Sequence, residues 1–525
     1  MRFATSLLLL TGFLTFLSAQ EKVQLKYSEP EFINMTNLLA AADDHRGTLQ
    51  LLKKTGKKEY RIESYNTSDL TLTNTAVVNH STRDQISSRF TPVNLVTLKN
   101  ENYLILSAVD PGNMKQFIAL QKIKQSGENS GKMQQIGSFS IIDNFEQFTI
   151  KAVTSENGNY LAIMSPVNTL DEERYTSEFI LYSTEGQLIK YFSLDTDYET
   201  RWTNTGRMTV TDKGRIVIAI SERKNNEWRP SSMSEVKLDL YISQADNTFK
   251  KVNVYSDIQE YSTFDYQLTP DQNNIECWGM YSDIDNKYGG DEANGLFNII
   301  IDIESGVVTD DVKNPFSLDI IADLLDTRES KIDHTKGLPK QYKIIDVLYR
   351  GNERWLVFDN VIYKKYNTYD PRYGAYVHND FFQFGSAIII KTDKSCTVKN
   401  YIVIPKKQWS FNDNGVYSSM MVKEKGDRIL LFFNDFIKNT KAEKIPEAEV
   451  VKMDDLLKSG FFMVEIQKDG SWTKTLVKNN LEDKKLIFPR SELSIEKNVQ
   501  FGLFSEKAYS SKESGLNVGV YKISY

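Results

Sequence analysis

Val153-Thr154-Ser155-Glu156-Asn157-Gly158-Asn159-Tyr160-Leu161-Ala162 reads as an apolar strand, a polar tight turn and a second apolar strand. Asn and Gly supply the positive φ that a tight hairpin demands, so the turn has a mechanism as well as a composition. The same unit recurs at Thr97–Ile105, Val210–Val217 and Leu268–Ile275. Three further copies centre on Gly351-Asn352, Lys425-Gly426-Asp427 and Glu496-Lys497-Asn498. Seven turns of this kind follow one another at spacings of roughly 55 to 80 residues, longer than the usual blade repeat.

Between them lies a second series of hairpins. Its turns fall near Thr55-Gly56, Gly127 to Gly131, Glu185-Gly186, Asp246-Asn247, Ser305-Gly306, Lys394-Ser395 and Asp469-Gly470. Two hairpins make a four-stranded antiparallel sheet, and such sheets repeated in a ring are the blades of a propeller. The expected class is therefore all-β: a β-propeller of seven four-stranded blades in one domain over residues 20–525, its N-terminal segment completing the last blade so that the ring has no open edge. An eight-bladed ring and a two-domain β-sandwich arrangement stay open as alternatives. Two short helical insertions are expected. Asn314-Pro315 opens the apolar-periodic stretch through Leu325, and Pro446 opens a second that stops at Gly460.

Composition fits this class. The 525 residues carry 64 Lys+Arg and 70 Asp+Glu, a net charge of −6, which argues against a nucleic-acid binder with a broad basic surface. Aromatic residues make up 12%, with 27 Tyr and 28 Phe, as strands favour. No stretch after residue 20 reaches the length of a spanning helix. Residues 1–19 read as a cleaved signal peptide: Arg2, an apolar core from Leu7 to Leu17, and Ala19 at the cut. Export to the periplasm or the exterior is expected, and no Cys follows the cut to carry a lipid anchor. Cys277 and Cys396 are too few for a disulfide framework and are expected to pack as small hydrophobes; a single bridge between them is the alternative.

Ser155–Ala162 and Thr269-Pro270-Asp271-Gln272 resemble the turn-and-strand signature of bacterial β-propeller repeats. A more particular set runs from about residue 338 to 478: Trp355-Leu356-Val357, a Tyr-rich insertion, Gly385-Ser386-Ala387-Ile388-Ile389-Ile390-Lys391, Ile404-Pro405-Lys406-Lys407-Gln408 and Leu431-Phe432-Phe433-Asn434-Asp435. This quarter of the chain is similar to a group of uncharacterised, secreted, propeller-like proteins of Gram-negative bacteria. The resemblance implies the fold and export, and it implies no activity.

Catalytic motifs are absent. G-x-G-x-x-G, H-E-x-x-H and G-x-S-x-G do not occur, and only four histidines exist. No catalytic residue and no cofactor is assigned. The loop Asp283-Ile284-Asp285-Asn286-Lys287-Tyr288-Gly289-Gly290-Asp291 could gather oxygen ligands for calcium through Asp283, Asp285 and Asp291, but it fails the EF-hand register and reads more simply as a solvated turn. Asp469-Gly470-Ser471-Trp472 resembles the Asp-box turn of sialidase-like propellers only in part and is expected to be a hairpin turn.

The most informative feature is positional. Links from the second to the third strand of each blade are predicted at 110–115, 166–176, 222–236, 281–294, 364–384, 435–459 and 505–514, and most are long. They emerge on one face of the ring, opposite the tight turns. Elaborated loops on a rigid scaffold are where binding usually lives. The candidate ligand-binding residues are Tyr366, Tyr369, Arg372, Tyr373, Tyr376 and His378 on the 364–384 loop, with Arg174, Tyr175, Trp228, Arg229 and Tyr288 on its neighbours. Against this stands the plainer expectation that half of these aromatics fold back to pack their own loop. The expected function is a binding module for a protein or glycan rather than an enzyme. A carbohydrate-active enzyme using Asp283, Asp285, Asp291, Glu172 or Asp435 is the alternative, and a structural envelope protein the third reading.

Overall fold

The computed structural model describes residues 23–28, 31–33, 38–56, 59–78, 90–141, 150–167, 174–185, 189–200, 203–226, 229–254, 259–283, 292–324, 337–339, 341–370, 375–413, 415–441, 450–453, 455–491, 494–496, 499–506 and 516–525. Seven sheets are built on a meander of four antiparallel strands in chain order. Blade 1 spans residues 38–77, blade 2 91–140, blade 3 151–195, blade 4 203–253, blade 5 259–315, blade 6 342–404 and blade 7 421–479. Blade 8 is built from both ends of the chain. Gln24–Tyr27 lies antiparallel to Leu516–Ser524, which pairs in turn with Val499–Glu506.

The ring therefore has eight blades, where seven were expected. The extra blade is the first. Thr55-Gly56 turns from its second strand, Thr48–Lys54, to its third, Tyr60–Asn66, and not from third to fourth as the hairpin series implied. Its first strand, Leu38–Asp43, is Leu-Leu-Ala-Ala-Ala-Asp. Alanine is depleted in strands, so this segment gave no strand signal.

Side chains alternate between the two faces of each strand, and in a propeller both faces are covered by neighbouring blades. Leu104 and Leu106 of blade 2 pack with Leu52 and Ile62 of blade 1, while Ile105 between them packs with Leu161 and Ile163 of blade 3. Every adjacent pair of blades encloses such a core. The last, Leu49, Leu51 and Tyr65 against Phe501 and Val520, joins blade 8 to blade 1 and closes the circle. Cys277 and Cys396 are unbridged and sit in the cores between blades 4 and 5 and between blades 5 and 6.

The tight turns interlock on one face. Gly158 adopts φ +68°, and a Cβ there would meet the Lys99 backbone nitrogen of blade 2 at 2.6 Å, so turn shape and blade spacing both demand glycine. Asp212 accepts the Asn157 N–H at 2.9 Å, and its own N–H donates to Gln272 Oε1, which ties the turns of blades 3, 4 and 5 together. Ser471 N–H donates to Asp469 Oδ1 at 2.9 Å beside Gly470 at φ +89°, a hairpin turn as expected. Two short α-helices are present among the described residues, Leu318–Leu324 and Asn480–Asp483. Among the described residues of 446–460, Leu456–Lys458 forms a 3₁₀ turn. No helix among the described residues is long and apolar enough to cross a membrane.

Candidate functional site

In an antiparallel meander the second-to-third links and the blade-to-blade links share a face, opposite the tight turns. That face carries the elaboration, but two of its long links are not loops. In blade 4 the second and third strands stay paired out to Asn226 and Arg229, and in blade 6 Glu353–Asp370 and Ala375–Asp393 stay paired out to Asp370 and Ala375. The blade 6 pair forms an arm. A bulge between Asp359 and Val361 separates blade from arm, and bulges bend a strand and re-aim its side chains.

A third strand, Gln408–Phe411, joins the arm's base, pairing Phe384 with Gln408 and Phe381 with Phe411. Phe381 packs edge-on to Trp409 at 5.4 Å and against Phe411 at 4.9 Å, and Phe384 is buried. These rings hold the arm. Further out, the register places Tyr363 opposite Phe382 and Tyr369 opposite Tyr376, both pairs on one face. Tyr369 and Tyr376 meet edge-on at 5.5 Å and remain 53% and 69% exposed; Tyr363, also 53% exposed, donates to Asp380 Oδ1 at 2.7 Å. Part of the aromatic set is structural and part faces solvent.

The other expected site residues are dispersed. Tyr366 pairs with Asn379 and His378 with Asn367 along the arm's ladder. Arg174 is exposed, 3.9 Å from Asp195. Tyr175 is not a surface residue: it is buried in the core between blades 3 and 4, its hydroxyl accepts from Ser177 Oγ at 2.7 Å, and burial raises its phenol pKa. Arg229 pairs with Asn226 at the blade 4 tip. Asp283 ends the second strand of blade 5, opposite Gln259. Trp228, Tyr288, Arg372, Tyr373, Asp285, Asp291 and Glu172 lie outside the described residues. Among the described residues no group of three His, Cys, Asp or Glu could hold a metal. Asp435, one of the carboxylates considered for catalysis, is fully buried against Lys474 Nζ at 2.6 Å and Asn439 Nδ2 at 2.9 Å, an internal ion pair.

Sequence reasoning missed a second concavity. The first strands of successive blades contact one another around the axis, and between those of blades 4 to 7 lies a cavity of about 790 Å³. Blades 4 and 6 bring Arg207 and Asp346 to its wall, with Asp265 of blade 5 close to Arg207. Arg207 Nη1 lies 3.6 Å from Asp265 Oδ2, and Gln267 Nε2 donates to Asp346 Oδ1 at 3.0 Å. Burial raises the pKa of both carboxyls, Arg207 opposes the shift, and the Asp346 charge adds to the rise at Asp265.

A pH dependence follows. Between the ordinary carboxylate range and the raised values, the folded chain retains protons that the unfolded chain has released, so these groups make stability fall as pH rises. Asp265→Asn and Asp346→Asn together are expected to flatten that fall in urea midpoints measured from pH 4 to 7. An unchanged slope would contradict it.

No protein-family model matches the chain, and no curated protein matches it. Similar solved structures include the Dos1 propeller, at 10% identity over 95% of each chain with a TM-score of 0.40. Another is the WD40 domain of SCAP from fission yeast, at 8% identity over 96% of this chain and 99% of that one, TM-score 0.40. Porphyromonas gingivalis dipeptidyl peptidase 4 aligns at 9% identity over 93% of this chain and 58% of that one, TM-score 0.42. The chain's own sheet order, register and closed circle of inter-blade cores define its class: it is a β-propeller, with eight blades.

Proposed function

We propose that this chain is an exported binding propeller that takes a protein or glycan ligand on its elaborated face, with the blade 6 arm as principal contact. The observation that carries the reading is the solvent-facing pair Tyr369–Tyr376 on an arm whose base is locked by Phe381, Trp409 and Phe411. Tyrosine offers a large, rigid contact with a polar tip at low entropic cost, and a braced hairpin presents it preorganised. Export belongs to the same reading and predicts a mature N-terminus at Gln20.

The test is binding of the mature chain to a glycan and envelope-extract array beside the Tyr369→Ala/Tyr376→Ala double variant. Loss of two aromatic anchors is expected to weaken the captured ligand by about 10- to 100-fold. Both side chains are exposed, so the unfolding midpoint should hold within about 0.5 kcal/mol. Equal binding by the two proteins would remove the arm from recognition.

A further inference from the structure

Arg490 is placed by an interruption. The inner edge of blade 8 is split into Lys485–Ile487 and Ser494–Glu496, both pairing with Val499–Glu506. Pro489 lacks the N–H a ladder needs, so the chain leaves the sheet there, and the turn closed by Ser491 N–H on Phe488 O carries Arg490 to the wall of the central cavity.

The guanidinium is solvent-accessible and has no hydrogen-bond or ion-pair partner among the described residues. Its neighbours are the Phe384 ring, 5.7 Å away, and Asp359. Asp359 is already committed: its Oδ1 lies 2.6 Å from the buried Lys406 Nζ and its Oδ2 accepts from Ser419 Oγ at 2.7 Å. Surrounding protein lowers the pKa of Arg490, and Asp359 opposes the shift.

Charges along the rest of the wall do not restore balance. Arg207 is offset by Asp265, which does not itself line the cavity, and Asp346 is set against Lys423, which leaves Arg490 as one positive charge in excess. Ile344 and Leu268 supply apolar surface in the same cavity, whose volume suits a small ligand.

We propose that the central cavity binds a small organic anion, its carboxylate or phosphate head paired with Arg490 and its apolar body against Ile344 and Leu268. A planar guanidinium meets either head group through two parallel hydrogen bonds. This site adjoins the buried base of the blade 6 arm through Phe384 and includes neither Tyr369 nor Tyr376.

Calorimetric titration of the mature chain with phenyl phosphate and with octanoate, at fixed chloride, tests it. At least one is expected to saturate, and the stronger arm identifies the head group. Arg490→Gln should weaken that ligand at least about tenfold, because the charge-assisted pair is lost. Without ligand the variant should unfold no earlier than the parent, since an unpartnered cation has been removed. Arg490→Lys keeps the charge without the fork and should fall between. The Tyr369→Ala/Tyr376→Ala variant should bind like the parent, which separates this proposal from the arm's role. Saturation by neither probe, or equal affinity in Arg490→Gln, would overturn the proposal.

Discussion

Replacing Glu276 by Ala is expected to destabilise the ring by about 3–5 kcal/mol, the usual cost of stranding one member of a buried ion pair. Glu276, in blade 5, receives both Nε and Nη2 of Arg354, in blade 6, at 2.8 and 2.7 Å, and also the Trp278 indole N–H at 3.2 Å. All three side chains are buried. Without the carboxylate, Arg354 keeps only the Gly351 and Glu353 carbonyls and the face of Tyr349, and Trp278 loses its acceptor. The double variant Glu276→Met/Arg354→Met should recover most of the loss, because apolar residues of similar volume replace a buried pair at little cost. Urea denaturation of the three proteins decides the matter. A loss below about 1 kcal/mol in Glu276→Ala would mean that water or another cationic partner already shares the load.

Starting the chain at Glu29 is expected to open the ring. The cut removes Gln24–Tyr27, whose ladder completes blade 8, and Ser28, which bonds to Val520 in both directions at 2.9 Å. Val23, Leu25 and Tyr27 pack on the core between blades 7 and 8, with Tyr27 edge-on to Phe504 at 4.9 Å. Three half-buried apolar side chains contribute about 1 kcal/mol each, and the ladder adds to that, so a loss of about 4 kcal/mol is expected. Gly519–Ser524 then becomes an unpaired edge prone to self-association, while Leu516–Val518 keeps its pairing with Glu31–Ile33. Rapid hydrogen exchange across 519–524, reversed by a peptide spanning residues 20–30, is the expected signature. Native protection in the truncated chain would show that the ring does not depend on this closure.

The strand-turn-strand signal was legible because it is local. A turn such as Asn157-Gly158 needs only positive φ and flanking apolar runs, and the turns read this way join blade strands at Thr211–Arg215, Thr269–Asn274 and Gly426. Blade 1 escaped because an alanine-rich strand packs as well as a valine-rich one once neighbours cover it, yet shows no preference of its own. The Tyr-rich segment was recognised as an exposed aromatic insertion, but its pairing into an arm depends on Gln408–Phe411, supplied after the fourth strand of blade 6.

Local preference, the period-two pattern and the turn residues thus determined from sequence alone that this chain folds as repeated antiparallel sheets with one elaborated face. Only the tertiary structure decided that eight blades close the circle, that Tyr175 and Asp435 turn inward, and that Arg207, Asp346 and Arg490 share one cavity. The reason is separation along the chain: the inner strands are adjacent in space and far apart in sequence, so no local period encodes which of their side chains converge on the axis.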